Sequence, residues 1–189
     1  MTKRHSEPQR SAPHPESQLP LPETPAPDEL QLVPMTAEHA RQICSWRYEP
    51  PYDLFDWPAW DVLLASGSEA GDPEIRSRQF ASVVDSGERL IGFAQFFPLL
   101  GVTRLGLGLH PRLCGQGLGA TLTRRIVAEA IRRAPEDEID LEVLVWNARA
   151  IRAYERAGFA ITDSYTRNTP SGPAEFYCMV YDKSHFADS

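Results

Sequence analysis

Apolar positions along this chain recur with two periods, near two and near three and a half, and the switches between them mark its elements. Glu29 to Pro34 reads as a short strand. Thr36 can cap a helix that runs through Trp46, with Ala40, Ile43 and Cys44 on one face. Two adjacent prolines in "RYEPPYDLFDWPAW" stop any helix there, and Trp60 to Ala65 reads as a second helical piece. Gly67 to Glu74 is expected to be a loop. Gln79 to Val84 and Arg89 to Phe97 flank "DSGE", a hairpin signal, and Thr103 to Leu109 is another strand.

The second half repeats the alternation. Leu118 to Arg133 is predicted helical, with Leu118, Leu122, Ile126 and Ala130 in one stripe, and Pro135 ends it. Asp140 to Trp146 reads as a strand. Ala148 to Ala157 is a helix closed by Gly158. Phe159 to Thr166 and Glu175 to Lys183 are final strands around "NTPSGP". A strand, a turn with helix, and a strand in the middle make a right-handed crossover whose strands should be parallel. The other strands should be antiparallel. The expected fold is a mixed α/β sheet.

Composition narrows this to one domain. Met1 to Asp28 holds seven prolines and little apolar content, too little to offset the entropy of ordering it. It reads as a disordered tail before a single domain over 29–189. That segment lacks the marks of a secretory or transit peptide, and no apolar run is long enough to span a membrane. Cys44, Cys114 and Cys178 have no metal or redox spacing, so no metal is expected and a reducing cytoplasm is the simplest location. A formal charge of −7 argues against a general nucleic-acid partner.

Candidate chemistry concentrates in "GLHPRLCGQGLGATL", where four glycines fall between Gly108 and Gly119. A glycine turn feeding a helix start is an anion site, because free N–H groups and the helix dipole converge on the ligand. "GQGLGA" satisfies a dinucleotide fingerprint, but the next strand ends in Trp146-Asn147 rather than in the acid that a ribose requires. A nucleotide P-loop would need a lysine and a hydroxyl after the last glycine, and Ala120-Thr121 follow instead.

Taken with "LEVLVWNARAIRAYERAGF", Leu141 to Phe159, the loop resembles the GNAT superfamily of N-acetyltransferases. The pyrophosphate-loop pattern of that family aligns on Cys114, Gly115, Gln116, Gly117, Leu118 and Gly119, continuing into Ala120. Its second signature, a strand followed by Asn, Ala-Ile, Tyr and Gly-Phe, falls on Asn147 through Phe159. Cys114 stands where the family usually has Arg or Gln. Much of the contact in such a nest comes from backbone N–H groups, which any side chain permits.

The resemblance implies a twisted, mostly antiparallel sheet of about six or seven strands, a central parallel pair that splays apart, and about four flanking helices. It implies acetyl-CoA as cosubstrate and an amine as acceptor. Backbone groups of Leu107, Gly108 and Leu109 would meet the pantetheine, and Asn147 the cofactor. The Glu142–Tyr154 spacing, with Asn147 between, looks like that of the ribosomal-protein alanine N-acetyltransferases, in which the matching Glu is the base and the matching Tyr the acid. Each residue also has a purely structural role open to it. Glu142 would serve as a surface carboxylate or an arginine partner, Tyr154 as a packed ring, and Asn147 as a helix cap. Gly119 would let its helix approach the sheet. Cys114 would be a small apolar filler rather than a nucleophile.

The acceptor would meet "RYEPPYDLFDWPAW" and the last two strands. Tyr48, Tyr52, Phe55, Trp57 and Trp60 with Glu49, Asp53, Asp56 and Asp61 suit a cationic amine, or an apolar lid with a solvated rim. A protein N-terminus and a small-molecule amine both fit. The alternative from another class is a non-catalytic acyl-CoA-binding module.

Overall fold

The computed structural model describes residues 24–169 and 172–186. Most of the proline-rich tail, and the tip of the last turn at Pro170 and Ser171, lie outside the described residues. Seven strands are present there: β1 (Gln31–Pro34), β2 (Phe80–Val84), β3 (Leu90–Leu99), β4 (Val102–Leu109), β5 (Glu138–Leu144), β6 (Phe159–Thr169) and β7 (Gly172–Tyr181). Five helices accompany them: α1 (Ala37–Ser45), α2 (Trp60–Ser66), α3 (Pro73–Gln79), α4 (Gly119–Arg133) and α5 (Ala148–Arg156). The strands form one sheet in the order β1-β2-β3-β4-β5-β7-β6. Only β4 and β5 run parallel, and they are the pair joined by α4. No helix among the described residues is long and apolar enough to cross a membrane.

Two apolar clusters sandwich the sheet. One joins the α4 stripe, Leu118, Leu122, Ile126, Val127 and Ala130, to Val83, Ile91, Leu105, Leu141 and Met179. The other packs α1 to α3 through Ala40, Ile43, Leu63 and Ile75 against Phe80 and Phe93. Strand β2 lies between the two and is buried at all five positions, hence its apolar character, broken only by the buried Ser82. The α4 helix follows the 3.6-residue stripe read from the sequence, and its buried residues are those on that stripe.

Several boundaries differ from the sequence reading: β3 runs to Leu99, β6 to Thr169, and β7 covers Gly172–Tyr181, so the last two strands take in most of the stretch read as a turn. The segment read as a loop from Gly67 to Glu74 holds a one-turn helix, Glu69–Gly71, and the start of α3. Asp72 caps α3 by accepting from Glu74 N–H at 2.7 Å and Ile75 N–H at 2.9 Å, with Pro73 at the first helical position. That Asp-Pro-Glu start signal was outweighed by the polar composition around it. Strand β5 begins at Glu138 and stops at Leu144 rather than Trp146. Beyond it Val145 N–H still bonds Glu175 O, at 3.1 Å, before the chain turns at Trp146. Strand β1 starts only at Gln31, because Pro27–Glu29 forms a helical turn.

The parallel pair opens. The β4–β5 ladder holds from Val102–Glu138 to Leu105–Leu141 and ends there. Past that point Gly106 to Leu109 pair only with β3, and Glu142 to Leu144 only with β7. The expected splay is therefore present, and it gives the sheet an open V at the end where α4 begins.

Replacing Asp72 by Ala removes both cap bonds from α3. The expected cost is about 1 kcal/mol, read as a lower urea midpoint with an unchanged slope.

Candidate active site

The V between β4 and β5 opens into a cavity of about 780 Å³. Its walls come from the free end of β4, the facing end of β5 with Phe93 of β3 and Phe176 of β7, the glycine turn with the start of α4, one face of α5, and the aromatic segment between α1 and α2. Of the residues singled out in the sequence, Leu107, Gly108, Leu109, Cys114, Gly115, Gly117, Gly119, Ala120, Glu142, Asn147 and Tyr154 all line it. Gln116 and Leu118 do not. The Gln116 side chain folds back, donating to Arg112 O at 2.7 Å and bonding Thr24 Oγ1 through its carbonyl oxygen. Leu118 is buried in the core. Both keep their place in the turn without lining the cavity.

The turn needs its glycines for a conformational reason. Gly115 and Gly117 have φ of +82° and +85°, where a Cβ is strained. The first α4 bond is Leu122 N–H to Leu118 O, at 2.9 Å. The N–H groups at Gly119, Ala120 and Thr121 therefore have no intrahelical acceptor, and they sit at the positive end of a 15-residue helix. Gly119 has a different role from the one expected. A Cβ there would lie 3.0 Å from Ala153 Cβ, so its bareness lets α4 approach α5 rather than the sheet. Gly108 is bare because the Phe93 ring occupies the space its side chain would need.

Helix α5 supplies the opposite wall. Asn147 is buried, and its Oδ1 accepts from Ala150 N–H at 3.2 Å, the cap that was anticipated. Tyr154 packs its ring 6.2 Å from Phe159 and also faces the cavity. Burial pushes its pKa up to about 12, so the phenol stays protonated through the physiological range. Arg149, Arg152 and Arg156 line the same wall. They were not singled out in the sequence, although their spacing of three and four residues puts them on one helical face.

The α1–α2 segment bridges the V. Tyr48 donates its hydroxyl to Leu109 O at 2.8 Å, at the tip of β4. Its N–H bonds Asp56 Oδ1 at 2.9 Å. Burial, with Cys114 and Asp56 nearby, raises the Tyr48 pKa. On the other side Tyr52 and Phe55 pack on Trp146, with ring centroids 5.5 and 6.3 Å apart. The sequence marked this segment as aromatic but gave no sign that Tyr48 would reach β4, because that bond spans 61 residues. Trp60 turns into the α1–α3 cluster instead. Glu49, Asp53, Asp56 and Asp61 do not line the cavity.

Glu142 is the one carboxylate on the cavity wall among the described residues. It sits on the opposite face of β5 from Leu141 and Val143, as period-two alternation requires. Both its oxygens are engaged, Oε1 by Arg104 and Oε2 by Arg167 Nη1 at 2.7 Å. Arg104 also grips Asp140, with Nη2 2.5 Å from Oδ2. That hydrogen bond, helped by the neighbouring carboxylates, holds the Arg104 pKa above its ordinary value against desolvation. Cys114 lies at the edge of the cavity with Sγ 3.8 Å from Leu109 O. Burial raises its pKa, against the opposing pull of Arg149, so the thiol is a weak nucleophile at neutral pH.

Comparison with known proteins agrees with this geometry. The profile described as "Acetyltransferase (GNAT) family" matches residues 36–159, a span that runs from the α1 cap to the end of α5. Among solved structures, a spermidine N-acetyltransferase chimera from Vibrio cholerae and hSSAT superposes with a TM-score of 0.70 at 19% identity, over 85% of this chain and 99% of that one. AAC(6')-Ib, in complex with Parmomycin and acetyl-CoA, gives 0.63 at 26% identity, over 86% and 98%. The ribosomal-protein alanine N-acetyltransferase from Escherichia coli gives 0.56 at 22%, over 80% and 92%. The chain belongs to the GNAT family of acetyltransferases and is an enzyme of the acyltransferase class.

Proposed function

We propose that the enzyme moves the acetyl group of acetyl-CoA to a primary amine by direct attack within a ternary complex. The observation that carries this is the open V. It leaves the β5-facing side of Gly106–Leu109 without ladder partners, on the wall of the cavity that the glycine turn and Tyr154 also line. Acyl transfer needs those two things side by side.

The chemistry divides among the walls. The pyrophosphate of acetyl-CoA sits on the turn from Cys114 to Ala120, where free N–H groups and the α4 dipole meet it. Arg149, Arg152 and Arg156 supply positive charge to the phosphates. The pantetheine amides pair with Leu107, Gly108 and Leu109 as a third strand would with an edge, and Asn147 borders them. The acetyl thioester then lies near Tyr154. Glu142 takes the proton that the ammonium must lose before attack. The amine nitrogen attacks the carbonyl carbon, the carbon–sulfur bond breaks, and Tyr154 gives its proton to the departing thiolate. The second proton, shed by the nitrogen as the amide forms, restores the Tyr154 phenol. A carboxylate offers about four acceptor sites, so its two ion pairs leave room for the amine or an intervening water.

Three outcomes check the scheme. Tyr154→Phe keeps the ring against Phe159 and removes the proton. The expected loss in kcat is about 100-fold, with little change in the KM for acetyl-CoA, measured by thiol release. The pH profile is the second check. A phenol with pKa raised to about 12 stays in its active, protonated form as pH rises, while the free-base fraction of the amine grows. The kcat/KM should therefore climb from pH 7 to pH 10 with no falling limb, and a decline setting in near pH 8 would contradict Tyr154 as the acid. Third, Cys114→Ser should retain most of the turnover and give intersecting initial-velocity lines. Parallel lines with an acetyl adduct on Cys114 would replace direct attack by a two-step route.

A further inference from the structure

A second feature of the cavity bears on which amines fit it, and it rests on the acetyl-transfer reading above. The wall contributed by the α1–α2 segment and the sheet is aromatic: Tyr48, Tyr52, Phe55, Trp57, Phe93 and Phe176. Aromatic faces and carboxylates are the two groups that attract an ammonium. Here the one carboxylate on the wall among the described residues, and two of the six rings, are already engaged from within the protein. The Arg149 guanidinium lies 4.0 Å from the centroid of the Tyr52 ring. The Arg167 guanidinium lies 4.4 Å from that of Phe176. Arg167 and Arg104 also occupy both oxygens of Glu142. With Asp140 included, that cluster holds two carboxylates and two guanidiniums, and its charges cancel. The acids of the neighbouring loop stand off the cavity wall. Besides Arg149, the α5 wall adds Arg152 and Arg156, a charge that suits phosphates and repels a second cation.

We infer that the acceptor is a primary monoamine carrying a neutral, aromatic or otherwise apolar body, and that polyamines and amino-sugars are excluded. One positive charge is tolerated, because the reacting ammonium gives up its proton before attack. A second charge, which must stay, finds no uncompensated carboxylate on the wall among the described residues, and the Tyr52 and Phe176 rings already carry guanidiniums. The apolar body gains contact with the aromatic wall. The tilted packing of Tyr52 and Phe55 on Trp146 holds that wall in place. This separates the chain from the structural neighbours whose names carry spermidine or Parmomycin, although the sheet is the same.

The test uses the full-length enzyme and matched amines. Phenethylamine is compared with spermidine, and hexylamine with hexamethylenediamine, which has the same length and one more charge. CoA release gives kcat/KM at fixed acetyl-CoA. Quenching of tryptophan fluorescence in the CoA complex gives amine binding independently of turnover. The expected result is at least about a tenfold preference for phenethylamine over spermidine and for hexylamine over the diamine, in both readouts. Tyr52→Ala and Phe55→Ala should each raise the KM for phenethylamine and leave that for acetyl-CoA unchanged. Equal or better use of spermidine or the diamine overturns the inference while leaving acetyl transfer intact. If no amine is acetylated although acetyl-CoA binds, the transfer reading fails, and the binding order alone then decides the inference. Binding that favours the diamine, or no amine binding at all, overturns it.

Discussion

The whole site depends on two strands parting. β4 and β5 share hydrogen bonds only as far as Leu105 and Leu141. Beyond that point each keeps its outer partner and loses its inner one. Buried backbone groups without partners are costly, so an opening of this kind persists only if something else meets them. Tyr48 meets one, the carbonyl of Leu109. A cosubstrate with amide groups of its own is suited to the rest. The same opening puts the α4 N-terminus, the α5 arginines and Tyr154 around one space, so binding and chemistry have a single structural cause.

Close packing fixes that geometry. Gly119 lets α4 come against Ala153 on α5, which brings the glycine turn and the wall bearing Tyr154 together. Phe93 fills the space that Gly108 leaves bare and so joins the α1–α3 cluster to the cavity wall. The α1–α2 segment is tied to β4 by Tyr48 and to Trp146 by two ring contacts. It spans the V rather than hanging beside it. The charge arrangement has a similar economy. Arginines on β4 and β6 neutralise the carboxylates of β5, while those on α5 line the cavity, Arg149 against the Tyr52 ring.

Local pattern made much of this legible before any coordinates. The α4 stripe, the Gly158 stop, the Asn147 cap and the crossover unit all follow from spacing within a dozen or so residues, and all are present. The glycine turn was readable because only glycine takes a φ near +80° without strain. Helix α3 was not. Its cap signal, Asp-Pro-Glu, lay in a polar stretch whose seven helical residues bury only one flank. The end of β5 was misplaced for a related reason, since its last apolar residues lie past the end of the ladder.

By itself the sequence determined the fold class, the glycine turn before α4 and the pair Glu142 and Tyr154 on neighbouring elements, because each is written in contiguous residues. What it could not determine is who meets whom across the cavity. Whether the acids near the aromatic segment face a ligand or solvent, and whether Glu142 stands free or between Arg104 and Arg167, depends on contacts that are distant in sequence. No local periodicity encodes those contacts. The tertiary structure decided them by bringing β4, β5 and β6 together on one sheet, where oppositely charged side chains at matching depth compensate one another.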